Sequence, residues 1–416
     1  MRSLIGSAIG LFLIRIVGVI LLIVQVAVVA YFEGLEVVGL NGILWSSVVI
    51  FRVAGPLGID VMALKDACNP KFDNYSNYVP SLARRDTKAL LKIWIPILGI
   101  GAGGWSISIA FDLVDGVLVP VTALACFASA FHRLWFMSLI SRQKPYLSQI
   151  LESILLPVLA LAAVLVTPRG NETTFLIGQG IAICAVSLLL GAAALARSNK
   201  HGKGLPPTNW RGGLAVALGA SLTALAVRSP IFIVGSGSVR LAGEYDIAQR
   251  FQSAGSIGVS AVSTALMPRL AKSIQHDETK LILRLLITGG AISASIPAVL
   301  LSLLLVSGRD FVAQLLGDEY GALWGAAVVL TAASLVNALT SSVSNALSLG
   351  RRERWFAWIS GIQLSLIIAA AFVLGSPLPE QMAFVVLISE LIRSVLLVTA
   401  LFGSGPHKVA RHRATG

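Results

Sequence analysis

The first apolar stretch of the chain, residues 4–30, reads LIGSAIGLFLIRIVGVILLIVQVAVVA. A helix needs about 20 mostly apolar residues to cross the hydrocarbon core of a membrane, and this stretch exceeds that length. Its only charged residue is Arg15. It is too long and too uniformly apolar for the core of a signal peptide, and no convincing small-residue cleavage site follows it. We therefore predict a membrane-spanning helix that stays attached to the chain.

Stretches of this kind recur along the whole sequence. Hydrophobic residues make up 56% of the 416 residues, charged residues 12%, and the mean hydropathy is +0.83, which excludes an ordinary soluble domain. We predict an all-α polytopic membrane protein with twelve transmembrane helices, numbered one to twelve along the chain. The predicted spans are roughly 4–30, 37–58, 89–110, 116–136, 148–167, 174–196, 213–235, 242–267, 282–306, 321–346, 355–375 and 380–402.

The basic residues predict the orientation of these helices. Lysine and arginine cluster in alternate connections, and the other connections contain only Arg169, Arg240 and Arg309. Since cytoplasmic loops carry the excess of basic residues, both termini are predicted to be cytoplasmic, in a bacterial inner membrane. A basic inner rim also accounts for the net charge of +12, so we expect no nucleic-acid partner.

A polar segment divides the chain nearly in half. Residues 197–213 read RSNKHGKGLPPTNWRGG and leave six predicted spans on each side. We predict an N-terminal six-helix lobe at 1–196, a cytoplasmic linker at 197–212, and a C-terminal six-helix lobe with a short basic tail at 213–416.

Two landmarks repeat between the halves. GIDVMALK (58–65) closes helix two and TALMPRLAK (264–272) closes helix eight, an offset of about 207 residues. ISRQKPYL (140–147) follows helix four and SLGRRERW (348–355) follows helix ten at nearly the same offset. A duplicated unit with an even number of helices inserts both copies in the same direction. We therefore predict pseudo-two-fold symmetry about the membrane normal, with a substrate path between the lobes.

Neither catalysis nor a bound cofactor is indicated. No ATP-binding loop pattern is present, and the glycine-rich GIGAGG (99–104) falls inside helix three rather than after a strand. External connections are too short for a catalytic domain. We predict no catalytic residues, no cofactor, no metal site and no enzyme activity. All five histidines are assigned to cytoplasmic segments and to solvated positions: His132, His201, His276, His407 and His412.

Several charges interrupt the apolar windows. A charge at the bilayer centre costs about 2.5–3.5 kcal/mol on insertion scales, so each should face protein or water. The charges in question are Arg15, Arg52, Glu152, Arg228, Arg250, Glu390 and Arg393.

Four of the arginines are our candidate substrate-binding residues: Arg15, Arg52, Arg228 and Arg250. A guanidinium stays charged when buried and presents a planar fork that matches phosphate oxygens, so a pyrophosphate group is a natural ligand. Arg52 has an alternative, because it lies close enough to Gly58 to extend to the inner membrane surface.

The intramembrane carboxylates have different predicted roles. Glu152 is a candidate proton site for ion coupling, with pairing to an arginine as the alternative. Glu390 and Arg393 are spaced i, i+3 and are expected to satisfy one another as a structural pair. Prolines 157, 230 and 297 lie inside spans, where a missing N–H frees a carbonyl and permits bending.

The layout resembles the polysaccharide flippases of the multidrug/oligosaccharidyl-lipid/polysaccharide exporter superfamily. The resemblance covers essentially the whole chain. Besides the two lobes it rests on three features: the RQKP-type turn after helix four, the G-x-D-x-x-A-L-K close of helix two (Gly58, Asp60, Ala63, Leu64 and Lys65), and EYDIAQRF, Glu244 to Phe251, at the start of helix eight.

The resemblance implies alternating access between the lobes, with helices one, two, seven and eight lining the cavity. The expected cargo is an undecaprenyl-pyrophosphate-linked oligosaccharide repeat unit for polysaccharide biosynthesis, such as lipopolysaccharide or exopolysaccharide. Membrane lipids and other membrane proteins of polysaccharide assembly are expected partners. The alternative is a cation-coupled multidrug or small-molecule exporter of the same superfamily, which usually needs a buried carboxylate in its cavity.

The predicted orientation can be tested with topology reporters. Fusions at His201 and at Gly416 should both report the cytoplasm, and an insertion at Gly308, after helix nine, should report the outer face. A reporter that places His201 and Gly416 on opposite faces would contradict the twelve-helix topology.

Overall fold

The computed structural model describes residues 2–62, 83–96, 118–141, 145–167, 172–196, 210–276, 278–316, 323–350 and 352–403. Every regular element within these residues is helical. Ten of the described helices are long and apolar enough to cross a membrane. Helices are expected here because a chain in lipid must satisfy its backbone hydrogen bonds within each segment. The chain is therefore an all-α, multi-pass membrane protein.

We label the elements α1 to α12 so that each corresponds to one predicted span. Most boundaries lie within a few residues of the prediction. The elements are α1 (Arg2–Glu33), α2 (Leu35–Ala54), α3 (83–96), α4 (Leu118–Ser141), α5 (Pro145–Ile150, Leu151–Leu155 and Leu156–Val166), α6 (Glu172–Leu195), α7 (Trp210–Gly237), α8 (Val239–Gly255 and Ile257–Gln275), α9 (Thr279–Leu316), α10 (Trp324–Leu349), α11 (Glu353–Leu374) and α12 (Pro379–Phe402).

The predicted count of twelve spans is not fully established by these helices. Most of helix three, with GIGAGG (99–104), lies outside the described residues. Predicted helix eight is divided at Ser256, and neither α8 segment is among the ten long apolar helices. The N-terminal segment is the more polar one, because it carries Glu244, Asp246 and Arg250 within 17 residues.

The C-terminal end of the predicted linker is helical, so the linker ends earlier than predicted. Helix α7 begins at Trp210, so the last three linker residues, 210–212, are helical. The rest of the linker, 197–209, lies outside the described residues, as does the basic tail from 404 onward.

Single-residue turns join the first two helices of each half. Gly34 separates α1 from α2 with φ 85°, a conformation that costs glycine little and other residues much more. Ser238 separates α7 from α8 in an extended conformation, φ −165°. Such short connections place α1 beside α2 and α7 beside α8 as antiparallel neighbours.

The two halves meet through a reciprocal contact between α2 and α8. A Cβ on Gly39 would collide with the main-chain oxygen of Val239, and a Cβ on Gly243 would collide with that of Leu35. Both the two glycines and the two carbonyl residues are 204 positions apart. Reciprocity of this kind is what a two-fold axis between related halves produces. The predicted topology places this contact on the outer side.

A second contact between the halves lies toward the predicted cytoplasmic side. Gly58, with φ 75°, approaches Gly213 at the start of α7 so closely that a Cβ on Gly58 would collide with the Gly213 oxygen. Nearby, apolar side chains of α4 such as Phe136 pack with Val216 and Leu266 from the C-terminal half. The halves therefore touch on both sides of the space between them.

The glycine contact predicts a specific loss of stability. Gly39→Ala and Gly243→Ala should each lower the melting temperature of the purified protein, because the neighbouring backbone cannot yield without separating α2 from α8. Overpacking of this kind typically costs about 1–3 kcal/mol.

Gly361 in α11 is the matched control, since a Cβ at this position would have Leu222 Cδ1, at 3.7 Å, as its nearest neighbour. Gly361→Ala should leave the melting temperature unchanged or raise it, because alanine favours the helix by up to about 1 kcal/mol. Equal melting temperatures for all three variants would show that α2 and α8 do not depend on the glycine contact.

Candidate substrate-binding cavity

A cavity of about 340 Å³ lies between the two halves. Its volume falls in the range of small-molecule sites, about 300–1,000 Å³. All seven of the predicted intramembrane charges line it, although they come from helices far apart in the chain: Arg15 (α1), Arg52 (α2), Glu152 (α5), Arg228 (α7), Arg250 (α8), and Glu390 and Arg393 (α12). The prediction that these charges face protein or water rather than lipid is confirmed.

The walls between these charges differ on the two sides. The N-terminal half contributes mainly apolar side chains, among them Leu22, Trp45 and Val49. The C-terminal half contributes polar side chains, among them Gln252 and Ser253 from α8. The cavity therefore suits a ligand with both apolar and polar parts.

Glu152 binds the two arginines of the N-terminal half. Its Oε1 accepts a hydrogen bond from Arg52 Nη1 at 2.9 Å, and its Oε2 lies 3.5 Å from Arg15 Nη2. The Arg52 side chain is only 13% exposed. Of the two interpretations left open by the sequence, pairing with arginine is the one observed for Glu152. Arg52 lines the cavity, where it is bonded to Glu152.

Local backbone features place Glu152 beside Arg15. Glu152 lies in a π-helical turn, Leu151–Leu155, and π turns inside α-helices are frequent at functional sites. Pro157 has no N–H, so the Ser153 carbonyl four residues earlier lacks its usual helical donor. Gly18 of α1 packs against that carbonyl, where any Cβ would collide with it. This close approach brings Arg15, one turn earlier on α1, to Glu152.

Arg228 has a different environment in the C-terminal half. Its Nη1 donates to Gln249 Oε1 at 3.0 Å, and Gln249 Nε2 donates to the Val227 carbonyl at 2.9 Å. Within the described part of the chain no carboxylate forms a salt bridge with Arg228. Its Nε is buried without a hydrogen-bond partner. Arg228 is therefore a half-buried cation that is bound by a neutral amide.

Arg250 is paired within its own helix. Its Nη2 donates to Asp246 Oδ2 at 2.6 Å, at i, i+4 spacing, and Asp246 is buried. The sequence analysis missed Asp246 as the partner of Arg250. Its spacing from Arg250 within EYDIAQRF was the available signal, because i, i+4 pairs of opposite charge face one another on a helix.

The predicted pair on α12 forms. Arg393 Nη1 donates to Glu390 Oε1 at 2.6 Å, and Gln363 of α11 donates to Glu390 Oε2 at 2.6 Å. Arg393 also donates to Asn337 and Ser344 of α10. These bonds tie α10, α11 and α12 together, as expected of a structural pair.

The placement of His132 was wrong in the sequence analysis. His132 lies within α4 and is 1% exposed, because α4 continues to Ser141, more than two turns beyond it. Its Nδ1 lies 3.3 Å from Ser187 Oγ, whose own hydroxyl donates to the Ile183 carbonyl. His132 is therefore an interior side chain that joins α4 to α6.

The G-x-D motif has a structural explanation. Gly58 provides the close contact with Gly213, and Asp60 Oδ2 accepts a hydrogen bond from Arg133 Nε at 3.2 Å. The motif thus connects the end of α2 to α4 and to the start of α7. Its remaining residues, from Ala63 to Lys65, lie outside the described residues.

The role assigned to Gly18 predicts an energetic coupling with Glu152. Gly18→Ala should lower the melting temperature both by overpacking and by moving Arg15 away from Glu152. In a Glu152→Gln background the second loss is absent, so the cost of Gly18→Ala should shrink by about 0.5–3 kcal/mol, as for residues in contact.

Gly361→Ala in the same two backgrounds serves as the control and should show no coupling. An identical cost of Gly18→Ala with and without the Glu152 charge would mean that the glycine serves helix packing alone.

Comparisons with known proteins identify solved structures that have the same fold. No family model matches the chain, and no curated protein matches it. Among solved structures, a MATE protein in a straight conformation is 11% identical with a TM-score of 0.71, over 97% of this chain and 95% of the other. A eukaryotic MATE transporter is 15% identical with a TM-score of 0.69, over 99% and 97% of the two chains.

A third neighbour is a transporter of the MOP superfamily from Pyrococcus furiosus. It is 12% identical with a TM-score of 0.67, over 95% of this chain and 94% of the other, and it is described as having a binding pocket of reverse polarity that suggests a different function. The chain therefore has the same fold as these MATE and MOP-superfamily structures.

Proposed function

We propose that this protein is a lipid-linked oligosaccharide flippase. It carries undecaprenyl-pyrophosphate-linked repeat units from the inner to the outer leaflet of the bacterial inner membrane, by alternating access between its two halves. The observation that supports this proposal is the excess of arginine over carboxylate in the cavity. We propose Arg15, Arg52, Arg228 and Arg250 as the residues that receive the pyrophosphate.

The charge balance of the cavity favours an anionic cargo. Five arginines line it, and the carboxylates that face or pair with them are Glu152, Asp246 and Glu390, which leaves an excess of two positive charges. An exposed surface would screen such an excess, but a cavity between apolar walls screens it weakly. A cation entering this space meets net repulsion, and a phosphate meets net attraction.

Arg228 and Arg52 connect the positive charge of the cavity with the movement of the two halves during transport. They lie on opposite halves, and both line the same cavity, so two positive charges face the same enclosed space. A pyrophosphate carries oxygens on two phosphorus atoms, so a single group is able to accept from both arginines. Binding would then offset the repulsion and favour the state in which the halves are closed around the cargo.

The remaining parts of the proposal follow from the sequence. The termini are cytoplasmic, and the partners are the lipid-linked cargo, membrane lipids and other membrane proteins of polysaccharide assembly. Transport driven by an ion gradient is consistent with the lack of an ATP-binding pattern in the sequence. Glu152 is the candidate for ion coupling, since it is the carboxylate whose protonation would free two arginines.

The second candidate is a cation-coupled multidrug exporter. The comparisons fit this alternative better than the flippase, because the neighbours include MATE transporters, one of them described as a multidrug resistance transporter. At 11–15% identity that likeness concerns the fold and not the cargo. The cavity argues in the other direction, because both lining carboxylates, Glu152 and Glu390, already bind arginines.

Deletion of the gene distinguishes the two candidates. We expect loss of a surface or secreted polysaccharide and accumulation of lipid-linked repeat units that face the cytoplasm. The deletion strain is then complemented with wild type, Arg52→Lys and Arg52→Ala at equal membrane levels. Both substitutions should fail to restore export, because lysine lacks the bidentate fork of arginine.

Arg240 is the matched control, since its side chain is 67% exposed near the start of α8. Arg240→Lys and Arg240→Ala should restore export fully. Intact polysaccharide in the deletion strain, together with new sensitivity to cationic dyes, would favour the multidrug exporter instead.

A further inference from the structure

Arg15 and Arg52, the arginine pair of the N-terminal half, both contact a carboxylate of the protein itself. Glu152 bonds to Arg52 through Oε1 and faces Arg15 through Oε2. Only one hydrogen bond joins the three side chains, and Arg15 Nε, Arg52 Nε and Arg52 Nη2 are buried without partners. The two guanidinium groups thus retain donors for a stronger acceptor than Glu152.

Carboxylate and phosphate are the two anions that suit a guanidinium fork. Glu152 lies where an anion shared by Arg15 and Arg52 would bind. A phosphate that approaches the same donors meets the negative charge of Glu152 at contact distance, in a cavity that screens charge weakly. The carboxylate and a phosphate therefore compete for Arg52.

We propose that Glu152 is a built-in competitor of the cargo. It neutralises part of the charge on the arginine pair when the cavity is empty and gives up Arg52 when a phosphate group enters. This inference rests on the proposed anionic cargo, and it assigns to Glu152 a function in release and reset. The cargo leaves more readily because Glu152 returns to Arg52.

The need for such a residue follows from alternating access. A carrier must return empty to the side where it loads, and an empty cavity with unpaired arginines is costly to enclose in a membrane. A carboxylate on the same half moves with the arginines and keeps them paired during the return. Glu152 fits this requirement, since it lies on the N-terminal half together with Arg15 and Arg52.

The other two carboxylates that bind arginines of the cavity do not fit the same function. Asp246 is tied to Arg250 on its own helix, and Glu390 accepts from both Arg393 and Gln363 at 2.6 Å. Each of them is nearly buried, whereas the Glu152 side chain is 18% exposed to the cavity. Glu152 is therefore the carboxylate with access to an incoming anion.

The test measures anion affinity in the full-length purified protein. Farnesyl pyrophosphate is the probe, and its dissociation constant is measured by calorimetry for wild type and for Glu152→Gln. Removal of the competing charge should tighten binding by about five-fold or more, the size of a typical coupling between two ligands of one site. In the deletion strain the same variant should export less polysaccharide, because release and return are slowed.

Two variants control for simpler explanations. Glu390→Gln removes one negative charge from the same cavity but leaves Arg15 and Arg52 paired, so it should not tighten binding. Arg52→Ala combined with Glu152→Gln should lose the gain, because the competition acts through Arg52. If Glu152→Gln does not fold, Glu152→Asp shortens the side chain by one methylene and should show the same direction of change.

The outcomes separate this inference from the proposed function. Binding by wild type with equal or weaker binding by a folded Glu152→Gln protein would overturn the competitor role and leave the anionic cargo in place. An equal gain in Glu390→Gln would also overturn it, since the effect would then be one of overall charge. No binding of farnesyl pyrophosphate by any variant, together with binding of a cationic dye by wild type, would overturn both proposals.

Discussion

A guanidinium group inside a membrane protein must be solvated by the protein, and this constraint organises the centre of the molecule. Five arginines lie between the two halves, and each is bound by a carboxylate or an amide of the protein, on its own helix or on a neighbouring one. The oxygen atoms of Glu152, Asp246, Glu390 and Gln249 supply that solvation. Since they do not cancel the charge completely, the remaining positive potential is available to a ligand. The same residues therefore hold the helices together and define what the cavity attracts.

Close contact between helix backbones is the second feature that holds the helices together. Glycine at positions 18, 39 and 243 lets one helix rest on a carbonyl of another, which replaces side-chain volume with direct main-chain packing. In lipid this packing supplies much of the attraction between helices, because apolar side chains gain little by leaving lipid for protein. At Gly18 the approach also positions a charge. Packing and electrostatics are thus linked at one residue of α1.

The sequence was sufficient for the class of fold and for the charged residues that line the cavity, but of their pairings it predicted only that of Glu390 with Arg393 and left that of Glu152 open. A hydropathy profile identifies a charged residue such as Arg15 inside an apolar segment, because lipid solvates a charge poorly. It does not show which residue is the partner of that charge. Whether Glu152 meets one arginine or two depends on the π turn at Leu151–Leu155 and on the distance between α1 and α5, which no linear pattern records. His132 was assigned to a cytoplasmic segment although the predicted span 116–136 contains it, because hydropathy does not show that its ring is bound to Ser187 in the interior. Asp246 was overlooked although its spacing to Arg250 was visible.

The overall fold and the residues of the cavity give different information about the cargo, and this difference has a physical cause. A fold is maintained by the packing of about 20-residue apolar helices, which tolerates wide changes of sequence, as the 11–15% identity to MATE structures illustrates. Cargo is selected by a few polar side chains whose replacement leaves that packing intact. Under the proposed function those side chains are predominantly arginine, and in a cavity that screens charge weakly the sign of the charge discriminates between a cation and an anion. The cavity residues are therefore more informative about the cargo than the overall similarity of the helices.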